Sequence, residues 1–150
     1  LKVVLTGGNN ASEQAAIRDI VPEGADAVIL AGKLSFGQTA ELIARSKGFV
    51  GPDTGTTHVA SSTGVPIVTL FGPSDPTAGG PWGRGQTKPF DSRNDGVPQR
   101  RGNVILLKKH CKGQGGGMGC LNRRDSHSDC LNELTVDEVW DALEELKVVA

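Results

Sequence analysis

The feature that most constrains the fold of this chain is an alternation of short apolar runs with segments of helical periodicity. The apolar runs occupy residues 1–5, 27–30, 49–50 and 67–71, and helix-like segments lie between them. Parallel strands need a crossover of about this length, so the alternation predicts βαβ units and an α/β fold with a parallel sheet and flanking helices. The right-handed crossover rule then places the strand-to-helix loops at one edge of the sheet, where such folds bind ligands.

Capping residues mark where the predicted helices begin and end. Three pairs of residues have the spacing of a capping box: Asn10 with Glu13, Ser35 with Gln38, and Thr135 with Glu138. Gly64, with Pro66 after it, predicts a helix end at positive φ.

Apolar spacing within three helices predicts which face is buried. The first stripe comprises Ala15, Ala16 and Ile20, and the second comprises Phe36, Ala40, Ile43 and Lys47, centred on Ile43. The last stripe comprises Val136, Val139, Trp140, Leu143 and Leu146. We therefore expect the C-terminal helix to dock on the domain.

Length and composition predict one domain with an irregular region inside it. A chain of 150 residues can bury a sizeable core, so we predict a single domain over residues 1–150, with a loop-rich region at 84–132. Residues 77–102 are rich in Gly, Pro and charged side chains without a period, which predicts a long loop. Residues 104–107 read as a further strand.

Charge and hydropathy exclude several classes of protein. The net charge is −1, so nucleic acid and anionic membranes are not expected as main partners. No run approaches the roughly 18 apolar residues of a transmembrane helix, and no signal-peptide pattern is present. The chain opens within an apolar run and without Met, which suggests a piece of a longer protein.

The three cysteines leave more than one interpretation open. Cys111, Cys120 and Cys130 have His110 and His127 nearby, an inventory that would suffice for zinc, but the spacing lacks the paired pattern of zinc fingers. One disulfide would require an oxidising compartment. Buried free thiols in a reducing compartment are the favoured interpretation, and we predict no metal site.

The strongest chemical signal is the turn between the third strand and its helix, 53-DTGTTH-58. A helix N-terminus leaves backbone N–H groups unpaired and carries partial positive charge, which favours a phosphate. Gly55 lacks the Cβ that would keep a phosphate from the backbone. The hydroxyls of Thr54, Thr56 and Thr57 offer further donors.

Two other side chains of this turn have distinct predicted roles. His58, in the first helical turn, can donate to a phosphate or a sugar hydroxyl. Asp53 repels a phosphate, so it either caps the helix or accepts from a sugar hydroxyl. The alternative is that Asp53 and Thr54 only cap the helix, but capping alone does not account for Gly55 and His58.

The loops after the first two strands add candidates. Gly7 and Gly8 let a ligand pass close to the backbone, although a plain turn would explain them equally well. Lys33 can neutralise a diphosphate or remain solvated at the surface, and Leu34 can wall a base or belong to the core.

Several sharper signatures are absent from the sequence. It has no GxGxxG motif after a strand and no GxxxxGK[ST] motif, which argues against an NAD domain and a P-loop NTPase. It also has no GxSxG nucleophile elbow and no Asp-x-Asp pair. No carboxylate stands out as a general base, so we predict no catalytic residue, and we expect nucleotide binding without a divalent ion.

Four motifs in order resemble the C-terminal half of the family 9 glycosyltransferases, the ADP-heptose:lipopolysaccharide heptosyltransferases: 30-LAGKLS-35, 53-DTGTTH-58, 64-GVPIVTLFGPSDP-76 and 80-GPWG-83. The resemblance implies the GT-B fold, in which two Rossmann-like halves enclose the active site and the C-terminal half holds the nucleotide-sugar donor. The family allows Ser or Thr where this chain has Ser74, and Trp or Tyr where it has Trp82.

The resemblance also implies roles for particular residues. The diphosphate and sugar of the donor would be held by Asp53, Thr54, Gly55, Thr57 and His58. The adenosine would lie by Leu34, with Lys33 beside it, and the ribose near Gly7, Gly8 and Glu13.

The family's reaction is inverting heptosyl transfer to the lipopolysaccharide inner core. The resemblance implies that the general base and most of the acceptor site belong to an N-terminal half outside this sequence, so the chain alone is expected to be inactive. No cofactor is implied, and the partners are ADP-heptose and the lipopolysaccharide acceptor. Thiols and family together predict a bacterial cytoplasmic protein with access to the inner face of the inner membrane.

Two other functions remain open at this point. One is a fragment of a GT-B transferase or an epimerase that uses a UDP-sugar. The other is a nucleotide-binding module that performs no chemistry.

Overall fold

The computed structural model describes residues 1–92, 96–110 and 128–149. The chain divides into two compact units, Leu1–Leu42 and Ile43–Ala150. The prediction of a single domain over residues 1–150 is not tested by this division, because two compact units can belong to one domain.

The first unit contains a short parallel βαβ arrangement. Its elements are β1 (Val3–Leu5), α1 (Ala11–Asp19) and β2 (Ala27–Ile29), followed by α2 (Phe36–Ala44), within which the boundary between the units falls. Strands β1 and β2 pair in parallel, with Val4 opposite Val28. The predicted crossover between the first two apolar runs is therefore confirmed.

The second unit is built on a sheet of mixed direction. Its elements are β3 (Phe49–Pro52), α3 (Gly55–Thr63), β4 (Ile67–Phe71), α4 (Pro76–Gly79), β5 (Gln99–Arg101), β6 (Val104–Lys108), α5 (Asp129–Asn132) and α6 (Val136–Glu145). The strand order is β3-β4-β6-β5, in which β3, β4 and β6 are parallel and β5 is antiparallel to β6. The predicted α/β class with a parallel sheet and flanking helices is confirmed. The sheet is not parallel throughout, because β5 runs antiparallel to β6.

The segment predicted as one long loop contains α4 and β5. Hydrogen bonds from side chains to the backbone hold this segment in place, and such bonds leave no periodic pattern in the sequence. The Gln99 side chain accepts from Asp91 N at 2.8 Å and donates to Asp91 O at 2.9 Å. Arg101 donates to the Asp91 carboxylate at 2.9 Å, and Phe90 is 1% exposed. Asp75 caps α4, whose first residue is Pro76.

The sheet of the second unit buries both of its faces. One face packs with α3 in a cluster comprising Ile43, Ala60, Val65, Ile67, Phe71, Phe90, Val104 and Leu106. The other face packs with α6 in a cluster comprising Val68, Ile105, Leu107 and Ala142. Alternate residues of β4 and β6 point to opposite faces, so each strand contributes to both clusters. No helix among the described residues is long and apolar enough to cross a membrane.

Most of the predicted helix caps are confirmed. Ser35 and Gln38 bond reciprocally at 2.8 and 3.3 Å, and Thr135 and Glu138 form a complete capping box. Gly64 ends α3 with a φ of 80°. The first box is only half formed, since Asn10 caps α1 while the carboxylate three residues later turns to another backbone group.

The first predicted helical stripe is wrong, and the other two are partly wrong. Ala15, Ala16 and Ile20 are all exposed, whereas Ile17 is half-buried. In the second stripe Ile43 is buried as predicted, but Phe36 and Lys47 are exposed. In α6, Val136 and Trp140 are exposed, and Ala142 is buried instead. The predicted stripe did not include this small residue, which belongs to the apolar cluster between α6 and the sheet.

The N-terminal cap of α6 makes stability depend on pH. The Lys109 ammonium donates to the Glu138 carboxylate and the Thr135 backbone N–H donates to it at 3.0 Å, and both lower the pKa of Glu138. A lowered folded-state pKa contributes stability above the unfolded pKa, and this is lost as pH falls through the folded pKa. We expect Glu138→Gln to lower the free energy of unfolding by about 1 kcal/mol at neutral pH.

Urea denaturation of the wild type and the variant, at neutral pH and at about pH 3, measures this contribution. The deficit of the variant should shrink at the acidic pH, because the wild-type carboxyl group is then becoming protonated. Asp141→Asn, the same change on the exposed side of α6, is the control and should stay within about 0.5 kcal/mol of the wild type. An equal deficit for Glu138→Gln at both pH values would contradict the expectation.

Candidate functional site

The residues predicted to bind a ligand fall in both units. The first unit contains Gly7, Gly8, Glu13, Lys33 and Leu34, and the second contains Asp53, Thr54, Gly55, Thr57 and His58. Within each unit, the candidate loops follow neighbouring parallel strands at the carboxyl edge. The convergence of all these loops at a single edge stays a prediction.

The glycine turn of the first unit is shaped by α1. The N–H of Gly8 donates to Glu13 Oε1 at 3.1 Å. A Cβ on Gly7 would lie 2.6 Å from Ile17 Cδ1, and one on Gly8 would lie 2.9 Å from Glu13 Oε2. A side chain at either position would have to displace the end of a flexible neighbour, Ile17 or Glu13. The plain-turn and the ligand interpretations both stay open, and the Glu13 carboxylate is engaged with the turn.

The loop after β2 lies beside this turn. Gly32 has a φ of 70° and donates its N–H to Gly7 O at 3.0 Å. The Lys33 side chain is exposed and its Nζ donates to Ile29 O at 3.1 Å. Leu34 is half-buried. This arrangement places a positive charge at the carboxyl edge of the two strands of the first unit.

The turn between β3 and α3 presents an open helix N-terminus. Thr54 is the N-cap residue, with φ −143° and ψ 167°, and its side chain makes no capping hydrogen bond. A Cβ on Gly55 would meet no described atom within 4 Å apart from its chain neighbours and the backbone of its own helix. Packing within the described part of the chain therefore gives no reason for glycine at position 55, in contrast to Gly7 and Gly8.

The Asp53 carboxylate is hydrogen-bonded to the loop that follows the neighbouring strand, β4. Its Oδ2 accepts a hydrogen bond from Ser74 Oγ at 2.7 Å, so the acid is bonded to the loop after β4. Gly79, the last residue of α4, lies so close that a Cβ there would be 3.9 Å from the same oxygen. The interpretation in which Asp53 and Thr54 serve only as helix caps is not supported, since the side chain of neither caps α3.

The next two predicted residues differ in accessibility. Thr57 is 1% exposed and its Oγ1 donates to Pro52 O at 2.6 Å, so this hydroxyl holds the turn together. A direct bond from Thr57 Oγ1 to a phosphate would require the turn to open. His58 is exposed in the first turn of α3, and the position suits donation to a ligand at the helix N-terminus.

Sequence reasoning missed one charged residue at this edge. Lys108, the last residue of β6, is 7% exposed and its Nζ donates to Ser74 O at 2.6 Å. The available signal was a lysine directly after the apolar run 104–107. The sequence interpretation ended the strand one residue earlier and assigned this lysine to the polar tail.

The second unit thus combines an open helix N-terminus, a buried lysine and a carboxylate held by a hydroxyl. The helix N-terminus favours a phosphate group, and the carboxylate can accept hydrogen bonds from sugar hydroxyls. Among the described residues, no three His, Cys, Asp or Glu side chains cluster as a metal site would require.

A cleft of about 380 Å³ lies at the other end of α3, lined by residues 61–64 and 82–84. Thr54 and Gly55 lie at the N-terminal end of this helix, so the cleft is not part of the predicted phosphate site. It contains Trp82 of the 80-GPWG-83 motif, whose side chain is 56% exposed.

One of the three cysteines lies in the described part of the chain. Cys130 is a free thiol, 3% exposed, and its Sγ lies 3.0 Å from Ser128 Oγ. This agrees with the interpretation of that residue as a buried thiol. Cys111, Cys120 and His127 lie outside the described residues.

Comparison with known proteins places these features in a family. A sequence model described as "Glycosyltransferase family 9 (heptosyltransferase)" matches residues 1–108. Lipopolysaccharide heptosyltransferase 3 of Escherichia coli is 31% identical over 83 residues, covering 54% of this chain and 24% of that protein. Lipopolysaccharide heptosyltransferase 1 of Salmonella typhimurium is 34% identical over 86 residues, covering 57% and 26%. The matches thus span about a quarter of these relatives.

Two solved structures share the fold of nearly the whole chain. E. coli ADP-heptose LPS heptosyltransferase II matches with a TM-score of 0.69 and 24% identity, covering 97% of this chain and 36% of that one. A family 9 glycosyl transferase from Veillonella parvula matches with a TM-score of 0.66 and 23% identity, with the same coverages. At these identities the likeness concerns the fold alone.

Proposed function

Because the chain belongs to glycosyltransferase family 9, we propose that it is the donor-binding half of an inverting heptosyltransferase that acts in lipopolysaccharide inner-core biosynthesis. The donor would be ADP-heptose or a similar nucleotide-sugar. The acceptor would be a sugar of the lipopolysaccharide core, held mainly by an N-terminal half. The proposed location is the bacterial cytoplasm, at the inner face of the inner membrane.

The observation that carries the proposal is the open N-terminus of α3. The side chain of the N-cap residue Thr54 makes no capping hydrogen bond, and a Cβ on Gly55 would meet nothing in the described chain beyond its neighbours and its own helix backbone. Backbone N–H groups at such an end bind phosphate, since they are unpaired and the helix dipole favours negative charge. The proposed occupant of this space is the donor's diphosphate.

Side chains around this end would hold the rest of the donor. His58 would donate to the diphosphate or the sugar, Asp53 would accept from a sugar hydroxyl, and Thr57 would keep the turn in shape through Pro52 O. In the first unit, Lys33 and Leu34 would lie by the adenosine, and Gly7, Gly8 and Glu13 near the ribose. The general base would come from the N-terminal half, so the chain alone is proposed to bind the donor without transferring it.

Calorimetric titration with ADP and UDP, each with magnesium and with EDTA, tests the proposal. We expect ADP to bind more tightly than UDP. We also expect EDTA to leave the affinity unchanged, because the helix N-terminus and lysine side chains supply the positive charge that a metal would otherwise supply. A preference for UDP would favour a UDP-sugar transferase or an epimerase fragment instead.

Three further outcomes would change the proposal in specific ways. A large loss of affinity in EDTA would contradict the metal-free site. Measurable heptosyl transfer by the isolated chain would contradict its proposed inactivity. Binding of ADP with no transfer even after an N-terminal half is supplied would favour a nucleotide-binding module that performs no chemistry.

A further inference from the structure

Three neighbouring strands of the second unit end in one chain of hydrogen bonds. Lys108, at the end of β6, donates from Nζ to Ser74 O at 2.6 Å, and Ser74, after β4, donates from Oγ to Asp53 Oδ2 at 2.7 Å. Asp53 follows β3 directly. The strand order β3-β4-β6 brings the three residues together at the carboxyl edge of the sheet. We call them the Lys108–Ser74–Asp53 relay.

Packing alone gives no reason for a lysine at the end of β6. Val104 and Leu106, which precede it on the same face of the strand, are both 0% exposed in the apolar cluster beside α3. Lys108 itself is 7% exposed, and burying an ammonium group costs free energy unless it is well paired. Its bond to a backbone carbonyl fixes the loop that carries Ser74.

The hydroxyl of Ser74 donates to the Asp53 carboxylate and takes no part in capping α4. Asp75 caps α4 through its own side chain, at 2.9 Å from Thr77 N, so Ser74 is not needed for that cap. The Ser74 hydroxyl instead bridges to the loop after β3, 21 residues earlier in the chain. The bond occupies one carboxylate oxygen of Asp53 and restricts the rotation of its side chain.

We propose that Ser74 and Lys108 are positioning residues that act through Asp53 to make the site discriminate a nucleotide-sugar from the bare nucleoside diphosphate. The inference rests on the proposed function. With Oδ2 held by Ser74, the other oxygen of Asp53 is kept in one orientation to accept from a hydroxyl of the donor sugar. A nucleoside diphosphate lacks that hydroxyl and brings additional negative charge, which the carboxylate repels.

The affinity ratio of ADP-heptose to ADP is therefore the quantity to measure, in the wild type, Ser74→Ala and Ser74→Thr. We expect Ser74→Ala to weaken the binding of ADP-heptose about tenfold, because Asp53 would no longer be held in position and would lose its hydrogen bond to the sugar hydroxyl. The affinity for ADP should fall less than about twofold. Ser74→Thr retains the hydroxyl and should keep the ratio near its wild-type value. A residue that only stabilised the fold would change both affinities together.

Lys108→Met tests the far end of the relay. We expect it to lower the same ratio, since the Ser74 loop would lose its anchor. Lys88→Met is the matched control, because Lys88 is exposed and its side chain is not part of the relay. It should leave the ratio unchanged. If Lys108→Met does not fold, the Ser74 variants decide the question.

The possible failures can be told apart. If the wild type binds ADP and ADP-heptose and Ser74→Ala leaves their ratio unchanged, the relay is overturned while the proposed donor site stands. An equal loss for both ligands, or a loss in Ser74→Thr as large as in Ser74→Ala, likewise overturns it. If the wild type binds neither ligand, the proposed function fails and the relay fails with it.

Discussion

The substitution Gly55→Val is expected to weaken ADP binding about 100-fold, or about 2.8 kcal/mol, and to leave the melting temperature almost unchanged. Gly55 is the first residue of α3, at the N-terminus proposed to hold the diphosphate. The valine side chain would occupy the space in which a phosphate approaches the backbone N–H groups. The expected loss is large because several charge-assisted bonds to one phosphate would lengthen together.

The separation of binding from stability follows from the surroundings of this glycine. A Cβ built on Gly55 meets no described atom within 4 Å apart from its chain neighbours and the backbone of its own helix, so there is open space where the added side chain begins. At Gly7 the same Cβ would lie 2.6 Å from Ile17 Cδ1, and substitution there would disturb the packing of α1. A substitution at position 55 is therefore expected to change the affinity for ADP and not the stability of the fold.

Gly37 provides a matched control for this experiment. It is the second residue of α2, and a Cβ there also meets no described atom within 4 Å apart from its chain neighbours and the backbone of its own helix. Gly37→Val should leave both the ADP affinity and the melting temperature close to wild type. Calorimetry and thermal denaturation of both variants give the two readouts. Unchanged ADP affinity in Gly55→Val would rule out the open end of α3 as the phosphate site.

Replacing Phe71 by alanine should lower the free energy of unfolding by about 3–5 kcal/mol. Phe71 is the last residue of β4 and is 0% exposed, in the cluster that joins the sheet to α3. The cost combines the lost transfer free energy of the ring with that of the cavity it leaves, because the strands on either side cannot close the gap. The expected loss is a large part of the total stability of a small domain.

Phe36→Ala is the control for this substitution. Phe36 begins α2 and is 71% exposed, so the same chemical change should alter the free energy of unfolding by less than about 0.5 kcal/mol. Urea denaturation of both variants, followed by circular dichroism, measures the difference. Equal effects of the two substitutions would contradict the placement of β4 at the centre of the core.

Local features of the sequence predicted most helices and their caps well. They predicted long-range packing and hydrogen bonding less well. The capping pairs Ser35–Gln38 and Thr135–Glu138 were predictable because each involves residues three apart. Strand β5 was not predictable, since the bonds between Gln99 and the backbone of Asp91 that hold this region have no periodic signature. The burial of Ala142 comes from the packing of α6 on the sheet, which no local pattern records.

The candidate site shows the same division. The turn from Asp53 to His58 was recognisable because its glycine, hydroxyls and histidine are adjacent in sequence. The separate roles of these residues were not recognisable from the sequence. The sequence predicted Thr57 as a hydrogen-bond donor to a phosphate, and this stays a prediction. The tertiary structure adds that its hydroxyl is buried and donates to Pro52 O.

The sequence by itself determined the alternation of strands and helices up to β4, the C-terminal helix, and the glycine-containing turn that opens α3, because periodicity, capping and turn chemistry act over a few neighbouring residues. Only the tertiary structure decided that Asp53, Ser74 and Lys108 meet. They are separated along the chain by 21 and 34 residues. The pairing of β3, β4 and β6 brings them within hydrogen-bond distance, and that pairing depends on the burial of the whole sheet between α3 and α6.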